Sequence, residues 1–176
     1  MFPSPLSRTE LLRQLEQRII AQFKDAWLFP PRRAVSGFLG TLPVVIVGWR
    51  PAWGAFLDDG ANKLYYDILT ENGLENAHLT NIVKSRGHKG EPDPADYVLH
   101  EGMFRRELEI VSGLQYVVPL GDAYGRVAAV LSSQGVKPYY RLRQYASMRY
   151  GPDQVAAFRQ EVAELAAMAR RDLLIP

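Results

Sequence analysis

The sequence predicts an α/β fold, a three-layer α/β/α sandwich around a mostly parallel, four-stranded sheet. Two apolar runs, PVVIVG (43–48) and QYVVPLG (115–121), each end in glycine, as strands buried on both faces do. Helical segments alternate with these runs, and strand–helix–strand units joined by right-handed crossovers build a parallel sheet. The length of 176 residues suits one domain with one core, so residues 1–176 are expected to form a single unit.

The elements follow in order. Residues 7–25 (SRTELLRQLEQRIIAQFKD) start with Ser7 as N-cap and Glu10 three positions on, and space Leu11, Leu12, Leu15, Ile19 and Phe23 along an amphipathic helix. Pro30, Pro31, Gly37 and Gly40 keep 26–41 irregular up to the strand 43–48, where the core region 43–151 begins. KLYYDILTEN (63–72) reads as a helix stopped by Gly73, HLTNIV (78–83) as a second strand and 93–112 as another helix. Pro119 removes one ladder donor from the third strand, and GDAYGRVAAVLSSQ (121–134) continues it as a helix. YYRLRQY (139–145) alternates as a short fourth strand, and 152–171 forms a closing helix with Pro152 at its start.

Composition excludes several classes of function. Hydrophobic residues are 47% and charged residues 23% of the chain, which rules out disordered and collagen-like chains. The absence of cysteine excludes disulfides, Cys-ligated zinc, iron–sulfur clusters and a thiol nucleophile. No apolar run reaches the roughly 18 residues a membrane helix needs, and the polar N-terminus is no signal peptide, so a soluble, cytoplasmic protein is expected. His78, His88 and His100 are scattered, and no HExxH, P-loop or GxGxxG occurs, so neither metal nor nucleotide cofactor is expected.

Charge is distributed unevenly although the net value is only +2. The stretches 26–57, 76–90 and 123–152 contain no acid and hold three, three and five basic residues: Arg32, Arg33 and Arg50; Lys84, Arg86 and Lys89; Arg126, Lys137, Arg141, Arg143 and Arg149. Ligands of a parallel sheet gather at the carboxyl ends of its strands, and each predicted strand ends in or beside one of these stretches. A basic face and a polyanionic partner follow as an expectation.

At this point the chain resembles the uracil-DNA glycosylase superfamily over about 43–151. VVIVGWRPA (44–52) is similar to its first motif, with Gly48 and Pro51, and GAF (54–56) to its pyrimidine-stacking phenylalanine segment. HLTNIVKSRG (78–87) resembles the strand whose asparagine reads the base, YVVPLGDAYGRV (116–127) its strand–glycine–helix unit, and QYASMRYG (144–151) its second catalytic motif. Trp49 and Arg50 stand where active members carry an acid or asparagine, and Tyr145 and Ala146 replace the usual His-Pro. One branch instead uses an aspartate three positions after the stacking phenylalanine, which here is Asp59.

The resemblance implies a DNA repair enzyme, monomeric and without cofactor, that flips a damaged base and hydrolyses its N-glycosidic bond. Such cleavage needs a carboxylate near the developing sugar cation and a donor near the departing base, roles that fall to Asp59 and Tyr145. The Asn81 carboxamide offers a donor and an acceptor that match the edge of uracil, while Phe56 stacks on the extruded base beside Gly48 and Pro51. Lys84, Arg86 and Lys89 are expected on the DNA backbone, with Ser147 on a phosphate and Met148 and Arg149 at the wedge. Two other readings stay open: a non-catalytic nucleic-acid- or base-binding member of the fold, and a small-molecule-binding α/β protein.

Overall fold

In the computed structural model, residues 6–51, 57–86, 92–111, 116–133 and 140–176 are described. Phe56, His88, Lys89 and Lys137 lie outside them.

Helix α1 (Arg8–Gln22) begins with the expected capping box: the Ser7 backbone N–H donates to Glu10 at 2.7 Å, and the Glu10 N–H to the Ser7 hydroxyl at 3.2 Å. Strand β1 (Val44–Gly48) is buried along its whole length. It pairs in parallel with β2 (His78–Asn81) on one side and β3 (Tyr116–Pro119) on the other, giving the order β2-β1-β3. In this register Gly48 lies opposite Asn81, and Val47 opposite Pro119.

Alternate β1 side chains enter two separate hydrophobic clusters. Val44 and Ile46 pack with Tyr65 and Leu69 of α2 (Gly60–Glu71) and with Phe158, Val162 and Leu165 of α5 (Pro152–Arg171). Val45 and Val47 pack with Leu12 and Ile19 of α1, Phe104 and Leu108 of α3 (Pro94–Ile110), and Val127 of α4 (Tyr124–Ser132). The continuous apolar run of β1 is thus a consequence of helices on both of its faces. Helix α2 ends where Gly73 takes φ +74°, a left-handed turn in which the Leu74 N–H bonds the Leu69 carbonyl.

The four-stranded expectation is corrected, since the sheet has three strands among the described residues. Among the described residues of the expected fourth strand, Leu142 alone forms a parallel bridge, to Leu120, with bonds of 3.0 Å to the Pro119 carbonyl and 2.7 Å from the Gly121 N–H. Pairing stops at Gly121. Gly121 leaves strand geometry at φ +54°, and its carbonyl accepts the Arg141 Nε–H instead of a ladder N–H. On the outer edge the Arg143 N–H is capped by the Glu161 carboxylate at 2.8 Å, which blocks further strand addition.

Candidate functional site at the carboxyl edge of the sheet

The strands end in a row of small and polar groups. Asn81, 5% exposed, sits beside Gly48 so closely that a Cβ on Gly48 would lie 2.4 Å from its Oδ1. Glycine at the end of β1 is therefore what admits the carboxamide. Pro51 is buried just beyond, and the Trp49 ring lies under the Arg126 guanidinium, 3.7 Å from its centroid. Across β3, Gly121 packs against Gln144, from which a 3₁₀ turn (Tyr145–Tyr150) leads into α5. Three buried polar atoms of this region, Trp49 Nε1, Gln144 Oε1 and Ser147 Oγ, have no hydrogen-bond partner, an arrangement a polar ligand or water would complete.

The predicted residues divide into groups. Gly48, Asn81 and Pro51 share the carboxyl edge, and Arg86 and Arg149 are exposed. Asp59 is exposed at the N-cap of α2, where its backbone carbonyl accepts the Lys63 N–H at 3.0 Å and its side chain makes no capping bond. The neighbouring Asp58 faces Arg32 and Arg33 at 3.7 and 3.9 Å. Tyr145 is 3% exposed and stacked on Tyr65 at 4.4 Å between ring centroids, and burial drives its phenol well above the usual tyrosine range. It is a neutral core ring.

Two expected DNA contacts are corrected. Lys84 is fully buried, and Met148, 3% exposed, is part of the α2–α5 core, so neither reaches a DNA backbone or wedges between bases from this position. Lys84 instead belongs to an ionic network that sequence reasoning missed. Its ammonium pairs with the buried Glu107 carboxylate, donates to the Thr80 hydroxyl at 2.9 Å and also donates to the Asn81 backbone carbonyl. His78 Nε2 lies 3.2 Å from the other Glu107 oxygen. Burial raises the Glu107 carboxyl, but Lys84 and His78 outweigh it and hold the group below the usual carboxylate range. Burial lowers the Lys84 ammonium, partly offset by Glu107.

His100 completes the surroundings of Lys84, taking its backbone N–H on Nδ1 at 3.0 Å and stacking on Phe23 at 4.0 Å. Burial and the Lys84 charge, against Asp96, push this imidazole down to about 4. It borders a pocket of about 230 Å³ with Gln22, Phe23, Lys24, Asp25, Ser85 and Asp96. A sequence signal for the network existed: Glu107 shares helical spacing with Phe104, Leu108 and Val111, an acid on an apolar face.

Chemically, the edge offers a carboxamide, unpartnered polar atoms and nearby arginines. Among the described residues no group of three or more His, Asp or Glu side chains is arranged to hold a metal ion. No described helix is long and apolar enough to cross a membrane. No family model matches the chain, and no curated protein is significantly similar to it.

Proposed function

We propose that this chain is a uracil-DNA glycosylase-like protein that recognises a DNA base at the carboxyl edge of its sheet and hydrolyses the N-glycosidic bond of a deaminated base. The observation that carries the reading is the Gly48–Asn81 pair: a carboxamide at the end of β2 admitted by a glycine opposite it, which matches the donor–acceptor edge of uracil. The helices on both faces of β1 agree with a three-layer sandwich, in which this edge is the natural ligand position. Arg86 and Arg149 supply exposed positive charge for phosphates, and the protein acts as a cytoplasmic monomer without cofactor.

In this reading Asp59 orients water toward the sugar and steadies its positive charge, while Asn81 and a donor near the base take up the negative charge of the leaving group. The core position of Tyr145 favours a second reading, base or nucleic-acid binding without cleavage, because no imidazole stands in the second motif and the phenol is held neutral. An abasic-site cleavage assay on duplexes carrying uracil, hypoxanthine or xanthine decides between them. Cleavage that Asn81→Asp weakens supports the enzyme; Asn81-dependent binding without cleavage supports the second reading; no DNA binding overturns both.

A further inference from the structure

Five of the nine tyrosines lie in the acid-free stretch 123–152. Tyr145 is buried, and the Tyr140 hydroxyl is bonded to Glu164 at 2.7 Å. Tyr124 and Tyr150 differ, being 42% and 72% exposed, and each has an arginine over its ring: Arg141 at 5.6 Å from the Tyr124 centroid and Arg149 at 4.9 Å from that of Tyr150. Arg141 is oriented by its Nε–H bond to the Gly121 carbonyl, and Arg149 by a 2.9 Å bond to the Tyr150 hydroxyl. A guanidinium thus lies over each ring while both tyrosines keep a large share of their surface in solvent. Tyr124 stands directly after the turn that ends β3, and Arg141 and Arg149 flank the segment that carries Gln144 and Ser147.

We infer that these two tyrosine–arginine stacks form a platform for single-stranded DNA, each ring stacking on an unpaired base while its arginine meets the adjoining phosphate. The inference rests on the proposed DNA function and names the form of DNA. A base within a duplex has both faces covered by its neighbours, so exposed rings contribute only to unpaired bases, whereas phosphate contacts serve either form.

Fluorescence anisotropy with a labelled oligothymidylate of about 12 nucleotides, and with a duplex of the same length, tests this at matched salt. The single strand is expected to bind at least tenfold more tightly. Tyr124→Ala and Tyr150→Ala should each weaken it by about 5- to 100-fold, Tyr124→Phe should preserve it, and the duplex should be unaffected. Arg141→Gln should flatten the single-strand salt slope by about 0.7. Equal affinity for both forms, alanine variants that bind the single strand normally, or a Tyr124→Phe variant as weak as Tyr124→Ala would overturn the platform. If Asn81→Asp still alters uracil recognition in that case, the proposed function survives the loss; if neither probe binds, both fall together.

Discussion

Lys84 and Glu107 form an ion pair with neither side chain exposed to solvent. It joins the loop after β2 to α3, and because the same ammonium holds the Asn81 carbonyl, it also fixes the end of the strand that presents the carboxamide.

Removing one member of this pair leaves the other charge buried and unpaired. Glu107→Gln and Lys84→Met are each expected to destabilise the fold by about 3–5 kcal/mol, whereas the double variant Lys84→Met/Glu107→Leu should recover most of the loss. Urea unfolding of the three variants measures this, and additive losses would show that the two charges do not act as a pair.

Acid should destabilise the protein well above ordinary carboxylate pH. Unfolded, His100 binds a proton below about 6.5; folded, it does so only below about 4. Between these values the unfolded state holds the extra proton, so stability falls as pH falls through the window and the His100 contribution levels off beneath it. The depressed Glu107 carboxyl adds a further loss below 4.5. Stability curves for His100→Gln should lack the slope between 6.5 and 4; an unchanged slope would assign it to other groups.

Gly48→Ala places a methyl group 2.4 Å from Asn81 Oδ1, and the carboxamide is the part free to move. Base selectivity should be lost at a stability cost of about 1–3 kcal/mol, the range for overpacking. Retained uracil preference in a folded Gly48→Ala protein would remove Asn81 from base reading.

Asp59→Asn should slow single-turnover base removal by about 10²–10⁴-fold with DNA affinity nearly unchanged, because the interaction strengthens in the transition state. Cleavage at the normal rate would pass the role to another carboxylate, with Asp58 beside it.

Arg149→Glu and Arg143→Glu should behave differently. The Arg149 side chain is exposed, so reversal should weaken DNA binding and flatten its salt slope. Arg143 is held by Glu161 and Gln154, each at 2.9 Å, so reversal there should mainly lower the melting temperature by loosening α5. Equal effects of the two variants on the salt slope would contradict this division.

Local chemistry made much of the architecture legible from sequence alone. The Ser7–Glu10 capping box, the stop at Gly73, the proline start of α5 and the all-apolar β1 each depend on residues close together in the chain, and each lies where it was expected. The helices after β1 and β2 likewise followed from alternation, which led to parallel pairing and put Gly48 and Asn81 at one edge. What tertiary structure decided were matters of partnership. The fourth strand shrank to one bridge because Gly121 turned out of strand geometry and Arg141 took its carbonyl, an acceptor choice that no periodicity encodes. Lys84 reads as a DNA-backbone contact until α3 brings Glu107 to it from 23 positions away, and Met148 reads as a wedge and Tyr145 as a donor to the base until α2 and α5 close over them. A side chain's residue type sets what it can do; which charge or ring it meets depends on contacts distant in sequence, and those decide whether it faces a ligand or the core.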